Sequence, residues 1–298
     1  MFDCVIIGGG PSGLNAALIL ARGRKNIMLF DDDNPRNAVT HESHGFITRD
    51  GVKPSEFKRQ AKADLMKYPN LTMYNERVVD LKKETQCFVI YTESNKIYES
   101  RKVILATGLK DVLPPIDGIH NFYGTSLFSC PFCDGWELKD QPLVLITENP
   151  SAFHKAKLIF NWSRDLVVCT NGKEIFSKEQ QELLLKNKIE VLEGTILSLE
   201  GMNGNLSAIR FKNERQLERK AGFVTTNLVQ ASPLAKSLGC ILSKNGGIET
   251  DNFGRTNIEG VYACGDISKS TPMQVIVAAG EGTKAAMGVI NDLVNEEF

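Results

Sequence analysis

Nowhere does the sequence hold about 18 uncharged apolar residues in a row, so no membrane-spanning helix is expected. Neither charge is in excess: 35 Lys and Arg stand against 36 Asp and Glu, a net charge of −1. That balance supplies no field to draw nucleic acid or an anionic membrane. Histidine is scarce, at four, and no HxxxH pair or second CxxC accompanies the single pair Cys130 and Cys133. Neighbouring residues therefore do not assemble the four ligands of a structural zinc site, and no metal is expected. The other cysteines, Cys4, Cys87, Cys169, Cys240 and Cys264, are odd in number and fall singly in apolar runs. This is the pattern of reduced core thiols rather than of a secreted disulfide framework. No basic, apolar leader precedes the first apolar run after Met1, and the expectation is a soluble, cytoplasmic protein. Tandem repeats and low-complexity segments are also missing.

What is present begins with a core: 298 residues at 42% hydrophobic composition can bury about two domains. The apolar run 2–7 ends in Gly8-Gly9-Gly10-Pro11-Ser12-Gly13, after which Leu14, Ala17, Leu18 and Ala21 recur at helical spacing. A second run, 27–30, ends in Asp31, 23 residues after Gly8, near the distance at which an acid receives a ribose hydroxyl. The glycines divide the work: Gly8 makes the turn, Gly10 lets backbone approach a pyrophosphate, and Gly13 lets helix and strand pack closely. The helix start then offers free N–H groups and a partial positive charge to the anion. Strand, glycine turn, helix and acid together predict a dinucleotide site.

Segment 32–50, with Pro35, Gly45, His41 and His44, reads as a long loop whose histidines are hydrogen-bonded loop residues. A helix is expected over 54–66 and strands over 71–79, 87–91 and 102–105, the last running into Ala106-Thr107-Gly108. The Pro-rich 113–118 cannot continue either element and marks a domain boundary. Beyond it the pattern restarts: strand 143–146, helix 151–162, strand 166–169, helix 178–185, strand 189–192, then shorter strands at 206–211 and 223–226. The turn 244–247 marks the second boundary, and a strand into Gly265-Asp266 and a helix over 273–294 close the chain. The predicted fold is α/β, with two Rossmann-like doubly wound domains, the second inserted in the first: 1–113, 114–244 and 245–298.

Cys130-Pro131-Phe132-Cys133-Asp134-Gly135 carries the chemistry, because two thiols two residues apart can open and close a disulfide, and a core segment would not normally set a carboxylate beside one. With Gly8-x-Gly10-x-x-Gly13, Asp31, Ala106-Thr107-Gly108, Gly265-Asp266 and Met273-Gln274-Val275 in this order, the whole chain resembles the low-molecular-weight thioredoxin reductase-like flavoproteins. That family includes dithiol oxidases acting on epidithio compounds. The resemblance implies FAD: Gly8, Gly10, Pro11, Ser12 and Gly13 under its pyrophosphate, Asp31 on the adenosine ribose, and Ala106, Thr107 and Gly108 alongside. It places Gly265 and Asp266 at the ribityl chain and Gln274 and Val275 beneath the flavin ring. It also implies that Cys133 faces the flavin, that Cys130 exchanges with substrate, and that two copies form a homodimer.

The thiols would act in turn, one attacking a substrate disulfide and the other resolving the mixed disulfide, with Asp134 moving the proton. Such a proton carrier needs a pKa raised by an apolar surrounding, which Phe132 and Trp136 could supply. A carboxylate stabilising a helix start is the alternative reading of Asp134, and a turn aspartate that of Asp266. Oxidases of this family carry histidine after the second cysteine, so Asp134 follows the reductase pattern.

The chain departs from the family where reductases bind NADPH. Their GxGxxA reads here Thr147-Glu148-Asn149-Pro150-Ser151-Ala152, without either turn glycine. Each charge pair between Glu148 and a pyrophosphate at about 5 Å would cost roughly 3 kcal/mol, against about 1 kcal/mol returned by the helix N-terminus. After the next strand, Thr170-Asn171-Gly172-Lys173 offers one lysine where paired arginines clamp a 2′-phosphate. The donor is left open among NADPH, ferredoxin and a small dithiol, and the substrate is a thioredoxin-like protein or a small disulfide. Two rivals remain: an oxidase passing electrons from a dithiol to oxygen, and a flavin-binding redox sensor without catalysis, which the intact CxxC opposes.

Overall fold

A computed structural model describes residues 1–268 and 272–298. The chain forms two compact units, Met1–Ala38, Gly45–Lys110 and Val229–Phe298 making the first, Val39–His44 and Asp111–Leu228 the second.

The first unit is built on a sheet in which Leu71–Asn75, Ile27–Asp31, Phe2–Ile7 and Ile97–Leu105 lie side by side and parallel. Val261–Ala263 pairs in parallel with the second half of Ile97–Leu105, whose first half holds the antiparallel hairpin Val78–Lys83 and Phe88–Thr92. Cys4–Ile7 is apolar throughout because both faces of the strand are covered there. Cys4 and Ile6 enter one core with the helices Pro11–Arg22 and Val275–Glu297, while Val5 and Ile7 enter another on the opposite face. Each buried Ile, Val or Leu contributes about 1.5–3 kcal/mol there. The two helices pack tightly because Gly282 has no side chain: a Cβ would stand 2.1 Å from the Ser12 carbonyl oxygen.

The single strand expected over 71–79 is two strands. Leu71–Asn75 runs parallel to Ile27–Asp31, whereas Val78–Lys83 turns away into the hairpin. Alternation of period two passes through such a bend unchanged and does not say which neighbour a strand pairs with.

In the second unit Glu190–Leu192, Leu166–Cys169, Leu143–Ile146, Ala221–Val224 and Leu127–Phe128 form a wholly parallel sheet in that order. Val144 and Ile146 face one core, Leu143 and Leu145 the other. An antiparallel sheet of Ile196–Met202, Asn205–Phe211 and Gln216–Glu218 adjoins it. The helix expected over 151–162 is Ala152–Ile159, and Lys178–Lys186 begins with a capping box in which Ser177 and Gln180 exchange bonds.

The passage between units falls at Lys110/Asp111 and Leu228/Val229, rather than at the 113/114 and 244/245 boundaries read from turn composition. The reason for the second difference is burial. Leu234, Ala235, Cys240 and Ile248 pack in the same core as Val5 and Ile7, so the chain has rejoined the first unit well before the polar turn 244–247.

Candidate functional site

Phe2–Ile7 delivers the chain to Gly8, whose φ of +111° and position 2.2 Å (for a Cβ) from the Ala106 carbonyl oxygen admit only glycine. A Cβ on Gly13 would stand 1.9 Å from the Gly8 oxygen, which is the close helix–strand packing expected of it. Gly10 is different. It precedes the helix, and a Cβ there would meet nothing within 4 Å. Pro11 occupies the first helical position, where no N–H is missed, and Ser12 and Gly13 head the helix with donors the helix itself does not use. Gly265, at φ +79°, abuts this helix start, since a Cβ on it would be 2.5 Å from Ser12 Oγ and 3.9 Å from Ala278 Cβ. Val275, preceded by Gln274 at the cap position, opens the helix that carries Ala278. The structure thus brings the first turns of two helices to one place.

Around that place stand the expected acids, each with a cation that sequence reading did not assign. Asp31 is buried and receives the N–H groups of Gly9 and Asp33 at 3.3 Å. Lys58 Nζ lies 2.6 Å and Lys62 Nζ 3.5 Å from its other oxygen. Asp266 pairs with Arg36 at 3.1 Å. The Gly265 N–H donates to Glu281 Oε2 at 2.7 Å, and burial raises the Glu281 pKa. Lys58 and Lys62, one turn apart, are the only signal the sequence offered for the first pairing. Nothing in it linked Arg36 to Asp266 or Glu281 to Gly265. Gly108 sits at φ +68°, and the buried Thr107 hydroxyl has no hydrogen-bond partner among the described residues.

In the second unit Cys130 and Cys133 are joined in a disulfide with a Cα–Cα distance of 5.3 Å. Pro131–Asp134 is a single helical turn in which the Cys133 and Asp134 N–H groups both reach the Cys130 carbonyl at 3.2 Å. Burial, then the neighbouring Glu137 carboxylate, push the Asp134 pKa up to about 7, with His44 opposing. Phe132 and Trp136, expected to supply the apolar surrounding, are themselves 59% and 67% exposed. Phe132 stands edge-on to Trp162 at 5.6 Å, and Lys139 lies over the Trp136 ring at 3.4 Å. His44, read from sequence as a loop residue, has Nε2 3.6 Å from Glu137 Oε1 and 3.7 Å from Glu42 Oε2.

The turn after Leu143–Ile146 spends three of its own donors within itself. The Asn149 N–H goes to Thr147 Oγ1 at 3.2 Å, Pro150 has none, the Ser151 N–H goes to Asn149 Oδ1 at 2.9 Å, and the Ala152 N–H to the Asn149 carbonyl at 2.9 Å. Glu148 is exposed and accepts from Asn171 Nδ2 at 2.6 Å, which weakens the charge repulsion expected of it and shifts the weight of the argument to these occupied donors. Among the described residues no group of three or more His, Cys, Asp or Glu could hold a metal ion, and no helix is long and apolar enough to cross a membrane.

Residues 2–282 match the model of the pyridine nucleotide-disulphide oxidoreductase family. The chain superposes on the solved structure of TrxB from Bacillus anthracis with a TM-score of 0.97, at 43% identity and complete coverage of both chains. It is 30% identical over 320 residues to the thioredoxin reductase sirT of Leptosphaeria maculans, covering 97% of this chain and 93% of that one. It is 28% identical over 311 residues to the thioredoxin reductase of Helicobacter pylori, covering 98% and 99%. Glycine cradle, closed dithiol and these full-length likenesses lead to one assignment: the chain belongs to the pyridine nucleotide-disulphide oxidoreductase family, as a thioredoxin reductase-like enzyme of α/β fold.

Proposed function

We propose that the protein holds FAD in its first unit and passes electron pairs between it, the Cys130–Cys133 pair and a substrate disulfide. The observation that carries this reading is a closed dithiol beside a carboxyl whose pKa is about 7, in a chain that also presents an open glycine cradle. The reaction balances as reduced pair plus substrate disulfide giving closed pair plus two substrate thiols. Cys130 forms the mixed disulfide, Cys133 displaces the substrate by closing on Cys130, and Asp134 gives its proton to the departing thiolate.

The residues of the first unit fit FAD. The space over Gly10 suits a pyrophosphate, the unpaired Thr107 hydroxyl has a bond left to make, and Asp31, held by Lys58, suits an adenosine ribose. Ala106 and Gly108 flank that hydroxyl, Gly265 and Asp266 with Arg36 would suit a ribityl chain, and Gln274 and Val275 open the second helix. Bound there, FAD would supply the two-electron carrier that reopens the disulfide.

The second unit does not fit NADPH. A pyrophosphate at Thr147–Ala152 would find the N–H groups of Asn149, Ser151 and Ala152 already taken and none on Pro150, which weakens the hold of this helix start on an anion. The donor is then a small dithiol or an electron-carrier protein such as ferredoxin. The names of the H. pylori and L. maculans relatives support a thioredoxin-like substrate protein. Buried free thiols agree with a reducing, cytoplasmic setting, and the family resemblance supports a homodimer. The test is anaerobic titration of the purified protein with NADPH, NADH, a dithiol and reduced ferredoxin, followed by flavin bleaching near about 450 nm. A colourless protein, or one bleached only by NADPH, overturns the reading.

A further inference from the structure

The strand Val261–Ala263 carries its hydrogen-bond ladder on to Cys264, whose N–H reaches the Leu105 carbonyl at 3.1 Å. At the buried Gly265 the backbone turns into the left-handed region, φ +79°, and the N–H leaves the sheet. A side chain from another element receives it. Glu281, on the helix Val275–Glu297, accepts that N–H on Oε2 at 2.7 Å, and the Ser268 hydroxyl lies 3.2 Å from the same oxygen. Ser268 also bonds the Gly265 carbonyl, through its N–H at 3.0 Å and its hydroxyl at 2.9 Å. One carboxylate oxygen therefore brackets the short helical turn Asp266–Ser268, from Gly265 before it to Ser268 at its end. Asp266 stands inside this bracket, with its own carboxylate 3.1 Å from Arg36. Glu281 is in turn held by the helix that bears it. Asn15 Nδ2 donates to the Ala279 carbonyl at 2.8 Å, and at Gly282 the helix backbone presses on Ser12, so the anchor belongs to the stretch where the helices Pro11–Arg22 and Val275–Glu297 pack together.

Resting on the FAD reading above, we propose that Glu281 is a positioning residue for the cofactor: it fixes the turn that sets the place of Asp266, the acid suited to the ribityl chain. Glycine has more backbone conformations open to it than any other residue, so a turn that begins at Gly265 needs a tie from outside. The tie is specific, because a buried N–H that loses its acceptor is costly and the turn then relaxes toward whatever acceptor it can reach. Arg36 restrains the Asp266 carboxylate, and Glu281 restrains the backbone on either side of it. Without Glu281 the ion pair alone would decide where the carboxylate points. The role asks for an acceptor oxygen at this place on the helix, and it asks nothing of the dithiol.

The experiment titrates the full chain, freed of any bound flavin, with FAD and reads binding from the flavin fluorescence, so no turnover is required. Glu281→Ala is expected to bind about tenfold more weakly than the unaltered protein, and Glu281→Gln, which keeps an acceptor oxygen, to stay within about twofold of it. Glu281→Leu, which fills the space without an oxygen, reads the same loss if Glu281→Ala folds poorly. The decisive arm is a double substitution. If Glu281 acts through Asp266, its removal adds nothing once the Asp266 carboxylate is gone, and Asp266→Ala with Glu281→Ala binds within about twofold of Asp266→Ala alone. A general weakening of the fold would multiply the two losses instead. Multiplied losses, or a Glu281→Gln protein as weak as Glu281→Ala, overturn the positioning role and leave the FAD reading intact. Failure of the unaltered protein to bind FAD overturns that reading and the role with it.

Discussion

Asn149 accepts the backbone N–H of Ser151 on its side-chain oxygen at 2.9 Å, so the side chain that replaces a glycine also consumes a donor that a pyrophosphate requires. Asn149→Gly frees that donor and removes the side chain together. Combined with Glu148→Gly, it should speed NADPH-dependent flavin reduction by about tenfold or more, equivalent to about 1.4 kcal/mol. Stopped-flow bleaching under argon measures this, and fast, saturable reduction of the unaltered protein by micromolar NADPH would contradict it. Lys173 alone should give little preference for NADPH over NADH, since a flexible ammonium does not reproduce a planar clamp.

Cys133→Ser should leave Cys130 able to attack but nothing to resolve the product, so a stable mixed disulfide with substrate accumulates. Non-reducing electrophoresis or intact mass reads it directly. If Cys130→Ser traps substrate and Cys133→Ser does not, the two roles are exchanged.

Asp134 makes stability depend on pH in a stated direction. Its folded-state pKa of about 7 is above the usual carboxylate value, so between about pH 4 and 7 the folded chain holds a proton that the unfolded chain has released. Stability from this group is present below that window and declines as pH rises through it. Asp134→Asn removes the dependence and should stabilise the protein by about 2–4 kcal/mol at pH 8 while leaving pH 4 unchanged. It should also slow disulfide exchange by about a hundredfold. Urea unfolding at the two pH values checks the first claim, and equal gains at both would refute it.

Gly10 and Gly13 should respond differently to a side chain. Gly10→Leu enters open space, so the apoprotein should keep its melting temperature and lose its yellow colour. Gly13→Ala drives a Cβ to within 1.9 Å of the Gly8 oxygen and should lower stability by about 1–3 kcal/mol as well. Calorimetry with a flavin absorbance ratio separates them, and a stable yellow Gly10→Leu protein would remove the cradle from the site.

Much of this was legible in the chain because single residues carried the whole constraint. Gly8 and Gly13 can be nothing else where backbone approaches this closely, and the apolar run through Cys4, Val5, Ile6 and Ile7 records burial on both faces of the sheet. Legibility ended where the meaning lay in a second residue far along the chain. Asp31 was visible but its partner Lys58 was not, and His44 looked like loop because its neighbour Glu137 lies 93 positions on. The turn at 147–152 read as a charge problem, whereas its principal feature is side-chain and backbone oxygens taking N–H groups within four residues.

The seven cysteines are sorted by depth. Burial lifts the thiol pKa of Cys169 and Cys264 to about 12, raises that of Cys240, and raises that of Cys4 further still. A thiol that does not ionise neither attacks a disulfide nor coordinates an electrophile. An oxidant or alkylating agent reaching the folded protein therefore encounters a molecule that behaves as though it had few cysteines, with the 130/133 pair, once opened, as the preferred target and the half-buried Cys87 as the secondary one. The enzyme can cycle its dithiol among many sulfur atoms without scrambling them, and its damage under peroxide should fall on the reactive pair first.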